Sequence, residues 1–166
     1  MSSGETLADR AVAALQAAGQ TVATAESLTG GLLCSALVDV PGASKVVRGG
    51  VVAYAPEVKV DVLGVDADVV AERGTVDRLT AEQMALGAVR ELGADWGVST
   101  TGVAGPEPSE GKPVGTVHVA IVGRGASRVL DLALDGDRHD IRAQTVAAAL
   151  SALIARVEEQ DEPGSR

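Results

Sequence analysis

Hydrophobic residues change their spacing several times along the first third of the chain. Leu and Ala recur at helical spacing in residues 5–18 and Gly19 follows as a stop, so this segment predicts a helix. The β-rich run at 21–25 predicts a strand, and the apolar residues that lead to Pro41 predict a second helix. Residues 46–54 predict another strand, whose two central glycines indicate a bulge or a close approach of the backbone.

The middle of the chain contains signals for two further helices. Pro56 opens a short predicted helix that ends at Gly64. Thr80 and Gln83 have the spacing of a capping box, which predicts the start of a longer helix, and Gly93 predicts its end. Helices therefore alternate with strands in this region, as they do in α/β proteins.

The last third predicts three strands and a helix. Residues 96–101 form an apolar run that enters a glycine-rich loop. Two alternating runs, at 117–121 and 130–134, flank a Gly-Arg-Gly turn and predict an antiparallel hairpin. An amphipathic helix is predicted from about Arg138.

These elements predict a single domain over residues 1–166. The pattern favours a three-layer α/β sandwich with a mixed sheet, and its core is expected to cover about 5–158. We expect the charged end of the last helix to fray into a tail at 159–166.

Composition and charge exclude several classes of protein. The 166 residues include 14 Lys and Arg against 23 Asp and Glu, which gives a formal net charge of −9. Tyr54 and Trp96 are the only aromatic residues, so the chain lacks both the stacking platforms and the basic groove of a protein that binds single-stranded nucleic acid. No apolar run is long enough for a membrane span, and the N-terminus lacks the features of a signal peptide. Cys34, the single cysteine, cannot form an internal disulfide or a zinc site alone. The expectation is a cytoplasmic protein that needs neither a metal nor a cofactor.

Polar residues gather where three predicted strands end. The turn at 26–31 carries Ser and Thr hydroxyls and backbone N–H groups at the start of a helix, which suits an anion or a developing oxyanion. The same residues are also those of an ordinary N-cap beside tightly packed glycines. Segments 42–59 and 100–116 combine basic residues, a tyrosine and glycines, for which solvated charge and turn formation are the simpler explanations. His118 lies inside an alternating strand, which favours a structural role over catalysis.

Together, the segments resemble the CinA C-terminal domain family. The matching stretches are TVATAESLTGG, PGASKVVRGGVVAYAPEVK, STTGVAGP, KPVGTVHVA and GDRHDIRAQ, in family order. The combination of Ala-Glu-Ser-x-Thr-Gly-Gly with Tyr-x₄-Lys and Ser/Thr-Gly-x-Ala-Gly-Pro is specific, although none of the three is specific alone. The resemblance implies a three-layer α/β/α sandwich with a mixed, mostly parallel sheet that contains one antiparallel strand.

The resemblance also implies an activity. Characterised family members hydrolyse the carboxamide of nicotinamide mononucleotide to nicotinate mononucleotide and ammonia, and a homo-oligomer is the family-based expectation. The family's functional positions correspond here to Ser27, Ser44, Tyr54 and Lys59. We expect substrate-binding residues to come from the same segments and from basic side chains that offset the negative charge of the chain: Glu26, Thr29, Gly30, Gly31, Arg48, Thr101, Gly102, Gly105, Lys112, Arg138 and Arg142.

A Ser–Lys mechanism explains how these residues could cleave an amide without histidine. A lysine can act as the base if its pKa falls well below about 10.4, and burial lowers it. Lys59 is the candidate base, and Tyr54 is expected to orient it or to relay the proton. Ser44 ranks slightly ahead of Ser27 as the nucleophile, because the turn that contains Ser27 is better suited to holding substrate or an oxyanion.

Two other functions remain open at this point. Pro56 stands where many relatives have Asn, and Leu28 where many have Cys. Pro56 removes a backbone donor beside the active segment, which is compatible with a different amide substrate. A catalytically silent nucleotide-binding or regulatory module is the third reading.

Overall fold

The computed structural model describes residues 4–161 of the chain. In chain order its elements are α1 (Leu7–Ala18), β1 (Val22–Glu26), α2 (Leu32–Val38), a 3₁₀ turn (Ala43–Lys45), β2 (Val47–Val52), α3 (Pro56–Asp61), α4 (Ala67–Arg73), α5 (Arg78–Leu92), β3 (Trp96–Gly102), β4 (Thr116–Gly123), β5 (Ala126–Ala133) and α6 (Arg138–Asp161).

The five strands form one mixed sheet in the order β2-β1-β3-β4-β5. Strands β2, β1 and β3 pair in parallel, whereas β4 is antiparallel to both of its neighbours. Helices α1, α2 and α6 cover one face of the sheet, and α5, with α4 packed against it, covers the other. The α/β/α sandwich with one antiparallel strand is therefore confirmed.

The alternating pattern of the predicted hairpin corresponds to an apolar face of the sheet. Val117, Val119 and Ile121 on β4 are fully buried beneath α6, and Leu130 and Leu132 on β5 pack at the margin of the same core. No helix among residues 4–161 has both the length and the apolar character needed to cross a membrane.

The double glycine of β2 permits the close approach that the sequence indicated. A Cβ atom on Gly50 would lie 2.3 Å from Oγ1 of Thr24 on the neighbouring strand. The β1–β2 pairing also shifts at the start of β2, since Val22 pairs with Val47 but Ala23 pairs with Gly49. Strand β2 consequently packs tightly on β1, which brings the two carboxyl ends together.

Two predictions about helix ends are wrong. Helix α5 begins before Thr80: its N-cap is Asp77, whose carboxylate accepts a hydrogen bond from the N–H of Leu79. The Thr80 hydroxyl instead donates to the carbonyl of Gly74. Helix α6 extends through Asp161, so residues 159–161 are helical, and the rest of the predicted tail lies outside the described residues.

Helix α4 was not predicted, because none of its residues is buried and its sequence therefore lacks an apolar stripe. Its start is fixed by the side chain of Asp66, which accepts a hydrogen bond from the N–H of Asp68.

Candidate active site

A small cleft lies at the carboxyl ends of the three parallel strands. Ser27 follows β1, Tyr54 follows β2, and the glycine-rich loop from Gly102 to Gly105 follows β3. The connection from β1 to β2 carries α2 on one face of the sheet, and the connection from β2 to β3 carries α5 on the other. The chain therefore leaves β1 and β2 in opposite directions along the sheet, and ligands of open α/β sheets bind at the carboxyl ends of strands where this happens. The cleft has a volume of about 170 Å³ and is lined by Ser27, Leu28, Tyr54, Gly102, Val103, Ala104, Gly105, Glu107, Ser109 and Arg138.

Lys59 is buried beside Ser27. Its side chain is 1% exposed, and Nζ lies 2.9 Å from Oγ of Ser27. The same nitrogen donates to the carbonyls of Ala53 at 2.7 Å and Tyr54 at 3.1 Å. Short helix α3 holds the lysine in place, since it starts at Pro56 directly after these carbonyls.

Burial lowers the pKa of Lys59 to about 8, while the negative charge of Glu110 works in the opposite direction. Taking an ammonium group out of water disfavours its charged form, so the neutral amine becomes accessible near neutral pH. A nitrogen with a free lone pair next to a serine hydroxyl is the arrangement required for proton abstraction.

Pro56 occupies a position in α3 where a proline removes no hydrogen bond of the helix. It stands at the first turn of the helix, where an N–H has no partner within the helix. Pro56 is therefore compatible with the helix that carries Lys59.

Ser44 lies at the amino end of β2, whereas Lys59 contacts residues at the carboxyl end of the same strand. It belongs to the exposed 3₁₀ turn that precedes β2, whereas the carbonyls that hold Lys59 follow the same strand. A strand of six residues spans about 20 Å, and Ser44 lines a separate groove with Cys34 and Arg48. Of the two candidate nucleophiles, Ser27 is the one whose hydroxyl lies within hydrogen-bonding distance of Lys59, so the geometry favours Ser27 over Ser44. Ser44 is nearer to Lys59 along the chain but not in the fold.

Glu26 is a helix cap rather than a residue that faces the cleft. It is 1% exposed, and its carboxylate accepts hydrogen bonds from the N–H groups of Leu33 and Cys34 and from the hydroxyl of Thr24. The prediction that Glu26 binds substrate is not supported, because its oxygens already satisfy the start of α2. For the same reason, the N-terminus of α2 is not open to a ligand anion.

Tyr54 acts on Lys59 through its backbone and not through its ring. The ring is 62% exposed, and its hydroxyl lies 3.2 Å from Nη2 of Arg138. Nη1 of Arg138 donates to the carbonyl of Gly105 at 2.6 Å, so the guanidinium connects two walls of the cleft. The expected relay through the Tyr54 hydroxyl has no support in the geometry, whereas the exposed guanidinium of Arg138 remains at the rim as a candidate anion contact.

The other predicted basic residues bind protein carbonyls. Arg48 donates to the carbonyl of Leu92, near the start of β2 and far from the cleft. Lys112 donates to the carbonyl of Val76. Arg142 donates from Nε to the carbonyl of Leu28 and from Nη2 to that of Thr29. None of the three lines the cleft, so Arg138 is the candidate that remains from the predicted basic pocket.

The two predicted threonines are also engaged inside the protein. The Thr29 hydroxyl shares a hydrogen bond with that of Thr100, and the Thr101 hydroxyl donates to the carbonyl of Thr75. Both side chains are buried, so the prediction that they bind substrate is not supported. Gly102 and Gly105 line the cleft as expected, whereas Gly30 and Gly31 form the turn behind Ser27.

Sequence reasoning missed Glu110. Its carboxylate accepts from the N–H and hydroxyl of Thr75 and from the N–H of Val76, which ties the loop after β3 to the segment before α5. Only the folded structure brings this charge within reach of Lys59. A glutamate in a polar loop carries no sequence signal that would distinguish it from a solvated residue.

His118 does not line the cleft. Its Nδ1 lies 2.8 Å from the carboxylate of Asp131 on the neighbouring strand. Within residues 4–161, no three His, Cys, Asp or Glu side chains are grouped so that they could hold a metal ion.

Replacing Cys34 with Ser is expected to leave turnover near the wild-type rate. The side chain is half-buried on α2, burial raises the pKa of its thiol, and it faces Thr24 and Gly50 rather than the cleft. Ammonia release from nicotinamide mononucleotide, the activity that the family resemblance implies, checks this for Cys34→Ser and for the wild type after thiol alkylation. Complete loss of turnover in a folded Cys34→Ser protein would show that the thiol takes part in the chemistry.

The sequence matches the CinA C-terminal domain over residues 4–157. The chain belongs to the CinA C-terminal domain family. It is 50% identical over 137 residues to a CinA-like protein of Frankia casuarinae, which covers 82% of this chain and 31% of that protein. It is 47% identical over 148 residues to a CinA-like protein of Anaeromyxobacter dehalogenans, which covers 89% of this chain and 36% of the relative. The chain thus spans about a third of the length of these curated relatives.

Solved CinA structures share the whole fold. A CinA superfamily protein from Klebsiella pneumoniae superposes with a TM-score of 0.90 at 35% identity, covering 92% of this chain and 96% of that one. The competence/damage inducible protein CihA from Agrobacterium tumefaciens gives a TM-score of 0.87 at 43% identity, covering 91% and 93% of the two chains. The sheet and helices that position Ser27 and Lys59 are therefore those of the CinA fold.

Proposed function

We propose that this CinA domain is an amidohydrolase that converts nicotinamide mononucleotide to nicotinate mononucleotide and ammonia. The observation that carries the proposal is the buried Lys59 amine, 2.9 Å from the Ser27 hydroxyl at the cleft. Burying an ammonium group costs free energy, and within residues 4–161 the side chain that accepts from Lys59 is the Ser27 hydroxyl rather than a carboxylate that would compensate the charge. Perturbed lysines of this kind are typical of catalytic sites.

The contacts of Lys59 favour the neutral amine as a base. A neutral amine has two N–H bonds and one lone pair. The carbonyls of Ala53 and Tyr54 can accept the two N–H bonds, which leaves the lone pair directed at Oγ of Ser27. These contacts hold the amine in the orientation in which it can accept the Ser27 proton.

The proposed reaction has two halves. In the first, Oγ of Ser27 attacks the carboxamide carbon while Lys59 takes the hydroxyl proton, and the resulting tetrahedral intermediate expels ammonia after Lys59 returns the proton to the leaving nitrogen. In the second, water attacks the ester on Ser27, Lys59 accepts a proton from the water, and the carboxylate leaves as Ser27 regains its hydrogen. Neither half requires a metal or a redox cofactor.

The exposed rim of the cleft provides one cationic contact for a nucleotide phosphate. The chain carries a net charge of −9, so an anionic substrate needs a local positive group. Among the residues that line the cleft, Arg138 is the one with a positively charged side chain. Its planar guanidinium can bind two phosphate oxygens at once. We assign the carboxamide to the Ser27 end of the cleft and the phosphate to the Arg138 rim.

Ammonia release from nicotinamide mononucleotide tests the proposal. The purified chain is expected to form ammonia and nicotinate mononucleotide in equal amounts, while Ser27→Ala forms neither. A parallel incubation with nicotinamide riboside, which lacks the phosphate, is expected to proceed with a higher KM. A wild-type protein that binds the nucleotide without releasing ammonia would instead support the silent nucleotide-binding module.

The rate of the reaction is expected to rise with pH and to level off above about 8, the lowered pKa of Lys59. Below that value the amine is protonated and cannot accept the Ser27 proton, so at pH 7 only about a tenth of the protein holds the active form. A profile of kcat/KM against pH from 6 to 10 measures this ionisation in the free protein. The Cys34→Ser variant serves as the control that removes the thiol, and a kcat/KM that is flat over the range would contradict the assignment of Lys59 as the base.

A further inference from the structure

The cleft contains a negative charge that the proposed reaction does not use. Glu107 lines the cleft together with Ser27, Tyr54 and Arg138, and its side chain is exposed. Within residues 4–161, its carboxylate accepts no hydrogen bond and forms no ion pair. A carboxylate beside the proposed phosphate contact weakens the binding of an anion, so its presence there calls for a ligand group of the opposite charge.

The loop that carries Glu107 is held on both sides of this residue. Before it, the carbonyl of Gly105 accepts a hydrogen bond of 2.6 Å from Nη1 of Arg138. After it, Ser109 and Lys112 exchange two backbone hydrogen bonds of 3.2 and 2.9 Å, which close a tight turn. The loop therefore keeps its place at the wall of the cleft.

Two prolines further restrain the backbone at Glu107. Pro106 precedes it and Pro108 follows it, and the ring of each proline fixes its own φ. The residue before a proline is in addition restricted to extended conformations. The carboxylate of Glu107 is thus attached to a stiff segment, which lowers the entropy that is lost when it contacts a ligand.

The two charged residues that line the cleft do not neutralise each other. The guanidinium of Arg138 contacts the carbonyl of Gly105 and the hydroxyl of Tyr54, and in the part of the chain that the structure describes it forms no ion pair with Glu107. Opposite charges that line one cleft and remain apart are complementary to a ligand that carries one charge of each sign.

Nicotinamide mononucleotide is a ligand of this kind. Its phosphate is negative, whereas the ring nitrogen that bears the ribose is quaternary, so the pyridinium ring is positive. The ring of Tyr54 is 62% exposed and lines the same cleft, and the face of an aromatic ring attracts a cation. Glu107 and Tyr54 therefore both favour a cationic ring over a neutral one.

We propose that Glu107 is a specificity-determining residue that binds the positively charged ring of the substrate. It selects carboxamides of N-substituted pyridinium rings over carboxamides whose ring is neutral. This inference rests on the proposed amidohydrolase function, for which it names the substrate class. The carboxamide then lies at Ser27, the phosphate at Arg138, and the ring between them beside Glu107.

Binding of two nucleotides that differ in the charge of the ring tests the inference. Nicotinamide mononucleotide has a cationic ring, and its dihydro form has a neutral ring with the same ribose and phosphate. Calorimetric titrations use the Ser27→Ala protein, so that neither nucleotide is hydrolysed. Adding Glu107→Gln is expected to raise the Kd of the cationic nucleotide by about 3–10-fold, the contribution of one charge contact at an exposed site. The Kd of the dihydro form is expected to fall, because the carboxylate no longer repels its phosphate.

Glu72→Gln, also in the Ser27→Ala protein, is the matched control. Glu72 is an exposed residue of α4 that does not line the cleft, and its replacement removes one negative charge as well. The ratio of the two dissociation constants is expected to remain that of Ser27→Ala alone. A change in this ratio is therefore specific to the charge in the cleft.

Each alternative role of Glu107 gives a different result. If Glu107 only repels the phosphate, Glu107→Gln binds both nucleotides more tightly and in equal proportion, and the proposal is wrong. If Glu107 is a solvated residue of the loop, Glu107→Gln has the same ratio as Glu72→Gln, which also overturns the proposal, as does the absence of binding of either nucleotide.

The titrations separate this inference from the proposed function because they do not depend on turnover. If the wild type releases no ammonia but Glu107→Gln changes the ratio as expected, the inference stands and the proposed function fails alone. If the wild type releases ammonia and the ratio is unchanged in Glu107→Gln, the proposed function stands and the role of Glu107 is overturned.

Discussion

Replacing Ser27 with Ala is expected to lower ammonia release by a factor on the order of 10⁴ or more, whereas Ser44→Ala retains most of the activity. The reason is position. The Ser27 hydroxyl lies 2.9 Å from Nζ of Lys59, and Ser44 lies in an exposed turn at the amino end of β2, away from the cleft. Removing the nucleophile eliminates the covalent route, while removing an exposed hydroxyl changes neither the fold nor the cleft.

Paired measurements on the two variants decide the assignment. Initial rates of ammonia release are compared at saturating nicotinamide mononucleotide, and far-ultraviolet circular dichroism confirms that both proteins are folded. Thr101→Val provides a further control for the loss of a buried hydroxyl, since this threonine donates only to the carbonyl of Thr75. A folded Ser44→Ala protein that is inactive, beside an active Ser27→Ala protein, would restore Ser44 as the nucleophile.

Replacing Lys59 is expected to have an effect of similar size. Lys59→Met removes the base and should lower kcat by at least the 10²–10⁴-fold that is typical of general-base catalysis. Lys59→Arg should not rescue it, because a guanidinium remains protonated at any working pH and cannot accept the Ser27 proton.

The conservative variant distinguishes catalysis from structure. If Lys59 served only to carry charge or to donate hydrogen bonds to the carbonyls of Ala53 and Tyr54, arginine would preserve much of the activity. Both variants are measured for kcat and for thermal unfolding, so that a misfolded protein is recognised. Near-normal ammonia release by Lys59→Arg would exclude the Ser–Lys mechanism.

Much of the fold could be predicted from the sequence, because its elements carry strong local signals. Helix α1 has a regular apolar stripe and a glycine stop, and the hairpin of β4 and β5 alternates around a tight turn. The exceptions were positions where the sequence pattern fits more than one structure or where no pattern is present. Thr80 resembles a cap but its hydroxyl turns to Gly74, and α4 buries no residue and so shows no stripe.

The chemistry of the site could be predicted better than its geometry. The family resemblance was sufficient to nominate Lys59 as a base and Ser44 or Ser27 as its partner. Sequence gave no means of showing that Ser44 precedes β2 whereas the contacts of Lys59 follow that strand. The polar side chains of Glu26, Thr29 and Arg142 were expected to face a ligand, yet each binds the protein itself. Such distinctions depend on which way a side chain turns at the end of a strand, and only tertiary packing decides that.

Peptide mapping of the protein after rapid acid quench with nicotinamide mononucleotide tests the central claim most directly. The mechanism predicts an ester of nicotinate mononucleotide on the peptide that contains Ser27, present at short times in the wild type and absent from Ser27→Ala. An ester on the peptide that contains Ser44, or full turnover with no acylated serine at any time, would contradict it.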